Sequence, residues 1–446
     1  MADYRDAQTY ASDTEAKKAK DGSLVVKQWW SCEDPDERAK AVSAMAKSLE
    51  TNARDRKAAN LRHARLYENV EIDSLGSSDF ATSVVVQAIR GAGMMRMNVV
   101  AAAEDTLAAK VAKNKPRPTF LTSGGSWDKQ RKAKNLDKFA RGHFYELDAY
   151  EHGKVVFYDA MTFGTGLLHL FKSDATGRLD GERVLPDEIF VDDADALYGS
   201  PRTMLRRKVM QREVLMTKCP AAAGTLATAK GPSDRPMKSL TPTVEVWEAW
   251  HLPSGPKAKD GCHCIVADNT MLLSEKWKLD CFPFVVRRFK KRVVGFWGKG
   301  VAETLTGIQI ELNRTITSVS EQLRRKGRGR IMVPMGSKVS PAHLTNGIAD
   351  VVYYTGGVPP TVDSGNAVAP EETAHIERLY RMAFQEVGVS ELSVASKKPS
   401  GLDAAVAMRE FNEIESERFA LVHQDHDNFY VDLIRLSLKL IREQYG

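Results

Sequence analysis

The sequence predicts an α+β fold, and three observations carry that prediction. Apolar residues recur three and four apart at Leu305, Ile308, Leu312, Ile316, Val319 and Leu323, which places them on one stripe of a helix. Ile376, Leu379, Ala383 and Val387 repeat that spacing in a second helix, and Phe429, Leu433, Leu436 and Leu440 in a last one. From Arg183 to about Lys290 the pattern changes to short extended runs with β-branched and aromatic residues.

In chain order, residues 1–33 are polar and read as an arm that is mobile or docks on a partner. Asp34, Pro35 and Glu37 form a helix start: Asp34 can accept from orphan backbone donors, and Pro35 needs no donor at the first helical position. The helix should run to about Tyr67. Another is expected from Met97 to Ala112, stopped by Pro116 and Pro118, and a further amphipathic helix from Trp127 to Tyr150. Strands are expected at Gly166 to Phe171, Ile189 to Val191, Val244 to Trp250, His263 to Ala267, Met271 to Leu273 and Phe284 to Val286. Asp268 and Asn269 are the turn between the fourth and fifth of these. The Gly, Pro and Thr-rich stretch from Pro220 to Pro242 reads as a flexible insertion. The helix from Gly300 should end at Gly327, the next should run from Pro370 to Gly388, and the last from Leu402 to about Glu443, roughly 60 Å if unbroken.

Composition narrows little. The 446 residues suffice for two or three domains, and 43% hydrophobic with 27% charged residues is ordinary for a globular protein. A net charge of +6 permits contact with nucleic acid without arguing for it. Five scattered cysteines fit a reducing compartment, and no apolar run is long enough for a membrane span or a signal peptide.

Four motifs point further. Gly298, Lys299 and Gly300 are followed by Gln309, Leu312 and Asn313; Ser400 and Gly401 are followed by Ala404. Asn98, Val99 and Val100 precede Asp105, Thr106 and Leu107, then Lys115, Pro116, Arg117 and Pro118. Ile189 to Asp193 precede Tyr198, Gly199, Ser200, Pro201 and Arg202. In these motifs, over most of residues 60–440, the chain resembles the portal proteins of tailed bacteriophages, rings through which DNA enters and leaves the capsid.

The resemblance implies a subunit with a mixed α/β wing (34–299), stem helices at 300–326 and 370–390 flanking a clip (327–369), a tunnel loop (391–400) and a long helix at 401–446. It implies a closed homo-oligomeric ring of twelve subunits around double-stranded DNA, at the portal vertex of a virion assembled in the host cytoplasm. Partners would be the terminase packaging motor, the major capsid protein and a head-to-tail adaptor or tail protein, with no membrane. Many portals continue past such a helix into a crown; an end at Gly446 implies a member without one or a chain given in part.

The residues that could carry chemistry do not form a recognisable catalytic or metal motif. The Gly-rich phosphate loop needs Ser or Thr after Gly-Lys, and Lys299 is followed by Gly300, so the chain is not the motor ATPase. Cys262, His263, Cys264 and Cys281 lack the Cys-x-x-Cys zinc knuckle, and His423, His426 and Asp427 read as the polar face of a helix without a nucleophile nearby. Asp187, Glu188, Asp192, Asp193 and Asp195 lack the calcium-loop pattern and read as solvated surface. No enzyme activity, metal or cofactor is expected; the competing readings are a metal-dependent nucleic-acid hydrolase built on His423 or Cys262, and a head-to-tail adaptor ring.

The basic residues Arg324, Arg325, Lys326, Arg328 and Arg330 end the first stem helix, where cations also suit its negative dipole end. Under the resemblance, Ser396, Lys397 and Lys398 of the tunnel loop would touch DNA in the channel, contacting phosphate charge without reading bases.

Overall fold

The computed structural model describes residues 17–18, 24–25, 28–69, 96–113, 115–122, 124–229, 231, 241–255, 257–326, 330–332, 361–363, 369–389, 417 and 419–445. It is an α+β protein. Helices α1 (Pro35–Asn52) and α2 (Arg54–Tyr67) come first, then α3 (Val99–Val111), α4 (Trp127–Glu146) and α5 (Ala149–Phe163).

The Asp34 side chain accepts from the Glu37 amide at 3.2 Å, with Pro35 in the first turn, as the start signal requires. The single helix expected to Tyr67 is broken at Ala53. The arm expected through residue 33 is shorter: Trp29 is buried, and Trp30 stacks on His251 with ring centroids 3.8 Å apart. The helix expected to Tyr150 stops at Glu146, because Asp148 takes a left-handed conformation (φ 47°) and starts α5 in a new direction. Asn98 caps α3, accepting from Ala101 N at 3.0 Å.

Two antiparallel sheets follow. Strands β1 (Thr165–Lys172) and β2 (Leu179–Val184) form a hairpin; β3 (Ile189–Val191), β4 (Thr203–Gln211), β5 (Thr243–His251), β6 (Cys262–Ala267) and β7 (Thr270–Lys276) form a five-stranded meander in that order. Asp268 and Asn269, at φ 45° and 61°, make the two-residue turn between β6 and β7 with both central residues left-handed, the geometry that fits a hairpin's twist. Strand β8 (Phe284–Arg288) pairs with β1, completing a three-stranded sheet.

Strand β4 was not legible. Its centre carries Arg206 and Arg207, both buried and paired with acids: Arg206 with Glu182 at 2.5 Å and Glu188 at 3.2 Å, Arg207 with Glu50 at 2.6 Å. Burial would raise the Glu182 carboxyl, but His169, Arg206 and Lys208 together bring it well below the usual carboxylate range.

The stretch expected as a flexible insertion begins with structure: α6 (Arg212–Lys218) precedes it, and α7 (Ala223–Thr228) buries Leu226. The acidic group expected on the surface is also partly internal. Asp187 is buried and accepts from Asn60 at 2.7 Å, and Glu188 pairs with Arg206, whereas Asp193 and Asp195 are exposed as expected, Asp195 accepting from the amides of Arg202 and Thr203 at 2.6 and 3.1 Å.

Helix α8 (Val301–Lys326) then leaves the α/β body, strand β9 (Arg330–Met332) pairs with β10 (Thr361–Asp363), and α9 (Pro370–Val387) returns along α8 to a left-handed Gly388. Gln322 donates to Glu372 across the pair at 3.1 Å. The last helix, α10 (Ala420–Tyr445), is about 39 Å long. Phe419 lies in a turn before it, so the unbroken helix expected from Leu402 is interrupted there. Helix α10 packs Phe429, Leu433, Ile434 and Leu440 with Phe144, Val156, Leu168 and Val285, so it belongs to the body. Among the described residues, no helix is long and apolar enough to cross a membrane.

Candidate functional site

The feature that organises the molecule is the root of the α8–α9 pair. Here the main chain of one glycine motif lies directly on that of another. Gly164, at φ 85°, ends α5; a Cβ on it would run into the Gly298 carbonyl, and one on Gly298 into the Gly164 carbonyl. A Cβ on Gly300 would strike the Met161 carbonyl. The contact is held by Gly298 N donating to Thr165 Oγ1 at 2.9 Å and Phe289 N donating to Gly164 O at 3.1 Å. Only glycine permits this approach.

Just over two turns along α8, Gln309 is fully buried. Its Oε1 accepts from the amides of Val99 and Val100 at 2.9 and 3.3 Å, and its Nε2 donates to the Met97 carbonyl. These are orphan donors of the first turn of α3, so a side chain some two hundred positions away completes that helix's cap. Asn313 adds to it: Oδ1 accepts from Met97 N at 3.1 Å, and Nδ2 donates to Asn69 Oδ1 at 3.1 Å. The intervening Leu312 is buried with Val301, Leu305, Ile316, Leu379, Ala383 and Phe384 in one core with α3 and α5. Farther out, Leu323 is exposed.

Glu104 on α3 lies in this same core. It is fully buried; Thr162 donates to Oε2 at 2.8 Å, and Oε1 has no hydrogen-bond partner. Burial pushes its carboxyl up to about 8, so it is largely protonated at neutral pH. In the unfolded chain the group ionises near its ordinary value, so between that value and about 8 the folded state holds the extra proton and stability falls as pH rises. Glu104→Gln should remove this slope. We expect the variant to gain roughly 1–3 kcal/mol over the wild type at alkaline pH, with little difference in mild acid, in urea unfolding across pH. Parallel wild-type and variant curves would contradict the assignment.

The other candidate groups are not assembled into a site. His426, expected on a polar face, is buried between Phe157 and Tyr430, and Arg287 Nη1 donates to its Nδ1 at 2.8 Å, fixing that nitrogen as an acceptor. His423 is half-buried and Asp427 exposed. Cys262 and Cys264 are buried on one face of β6, whereas His263 stacks on Trp250 on the other and bonds Glu275 at 2.7 Å. Among the described residues no group of three His, Cys, Asp or Glu side chains could hold a metal ion.

Ser396, Lys397, Lys398 and Arg328 lie outside the described residues. Arg324, Arg325 and Lys326 form the last turn of α8, and Arg330 opens β9 opposite Asp363. Gln309 and Asn313 were picked out in the sequence, but their caps were not; Glu104 was missed, although it shares the apolar spacing of Val100, Leu107 and Val111. No known protein family and no curated protein matches the chain.

Proposed function

We propose that the chain is the subunit of a phage portal: a closed ring, twelve-fold by the resemblance, that conducts double-stranded DNA during packaging, retention and ejection and docks the packaging motor and then the tail. One observation supports this best. Gly298, Gly300, Gln309 and Asn313, which carry the resemblance, all work at the root of one helix pair that leaves the α/β body and returns through a paired-strand module. Such a pair has an amphipathic face to share with neighbours in a rotational ring, and the described structure leaves Leu323 near its far end uncovered. The basic turn at Arg324, Arg325 and Lys326 would then recur around the axis, and the loop with Ser396, Lys397 and Lys398 would face the DNA in the channel.

The test is the mass and symmetry of the purified protein, by native mass spectrometry with class averages from electron microscopy. A closed ring with a channel wide enough for duplex DNA is expected; a monomer at every concentration and salt would overturn the reading. In a ring, Lys397→Ala with Lys398→Ala should leave assembly intact and impair DNA packaging or retention, since weak screened contacts are what sliding permits.

A further inference from the structure

The net charge of the chain is concentrated in one place. Between Lys110 and Arg141 there are ten Lys and Arg against two Asp, a net of +8, more than the +6 of the whole chain. Six of the ten cations and both acids lie on α4, whose first three turns are largely exposed. No residue from Trp127 to Phe139 is buried; Ala140, His143 and Phe144 anchor the other end.

At 3.6 residues per turn, Trp127, Arg131, Lys134, Lys138, Arg141 and Tyr145 all fall within about 40° of one line along the helix. That line is opposite the anchored face. It is a stripe about 27 Å long, with four exposed cations between two exposed aromatic rings, Trp127 at 69% and Tyr145 at 85% exposure. None of the four cations has an ion-pair partner among the described residues; Arg131 lies over the Trp127 ring at 5.4 Å. Both acids are employed elsewhere: Asp128 sits in the helix's first turn, and Asp137 accepts from the Phe120 amide at 2.8 Å. At its anchored end the stripe meets a groove of about 440 Å³ where Lys115 and Arg117 join Arg141, Tyr145 and Tyr150. Asp148 and Glu151 also border the groove, which limits how deeply an anion enters it.

We propose that this stripe and the adjoining groove bind the phosphate backbone of a nucleic acid, as a contact separate from the expected channel loop. A row of unpaired cations at one-turn intervals suits a regularly charged polymer, and the terminal rings offer stacking to any unpaired base. An acidic protein would also be attracted, but the stripe lacks the contiguous apolar centre that a protein interface of useful size requires. The proposal does not depend on the ring reading, because one subunit carries the whole stripe.

The experiment uses the full chain and a fluorescent DNA duplex of about 20 base pairs, followed by anisotropy from about 50 to 200 mM salt. Four phosphate contacts predict that log K falls with log salt at a slope of about −3 to −4. Lys134→Glu with Lys138→Glu should weaken binding at least roughly tenfold and reduce the slope by about two. Both side chains are exposed, and circular dichroism should be unchanged. Lys257→Glu with Lys259→Glu, an equal charge change on an exposed loop, should bind nearly as the wild type. Equal weakening by both pairs would reduce the effect to net charge and overturn the proposal. So would unchanged duplex binding by the stripe variant with loss of binding to poly-glutamate, which would assign the stripe to an acidic protein. Lys397→Ala with Lys398→Ala separates the two readings: if only that pair abolished duplex binding, the channel loop would stand and the stripe would fall.

Discussion

Gly298→Ala should cost more than about 3 kcal/mol, and we expect most of the variant to be recovered unfolded or aggregated. The added methyl meets a backbone carbonyl, which has no rotamer to turn away, so Gly164 and the end of α5 would have to move. Moving them disturbs the pairing of β1 with β8 and the seating of Val301 and Ala302 in the core at once. The matched control is Gly142→Ala on α4, where a Cβ meets nothing within 4 Å and helix propensity alone should stabilise by about 0.5–1 kcal/mol. Thermal unfolding of the two variants beside the wild type decides the matter. A soluble Gly298→Ala protein with the wild-type midpoint would show that the two backbones can part without loss.

Gln309→Leu is the second large effect. The replacement keeps the volume but strands the buried amides of Val99 and Val100 and takes its donor from the carbonyl of the partly exposed Met97. With each buried orphan costing about 1–3 kcal/mol and Asn313 still holding Met97 N, a loss of roughly 3 kcal/mol is expected. Urea unfolding measures the size, and hydrogen exchange over residues 96–102 locates it. Exchange should accelerate there and not in the five-stranded sheet. A uniform change across the molecule would mean that Gln309 serves general packing and not the α3 cap.

These two positions show what could be read from the sequence. Helix α8, helix α9 and their ends were legible because the information is local: an apolar stripe, a proline at one start and a left-handed glycine at one stop. The hairpin at Asp268 and Asn269 was legible for the same reason. The caps made by Gln309 and Asn313 were not, because their partners lie over two hundred residues away and a spacing rule says nothing about such contacts. Strand β4 was hidden by Arg206 and Arg207, whose charges break the apolar pattern although both side chains are neutralised inside. The break at Asp148 was hidden because helical patterning runs on through it on both sides. The stripe on α4 was present in the sequence as charges at helical spacing, yet only the structure shows that none of the described residues covers it.

The glycine contact at the root of the helix pair also has a mechanical meaning. Where side chains separate two elements, a load is taken up by rotamer changes and small slips, and the joint yields. With carbonyl set against α-carbon on both sides of Gly164 and Gly298, that give is missing. A twist carried down α8 would therefore meet backbone against backbone at its base, with no side-chain layer to absorb it.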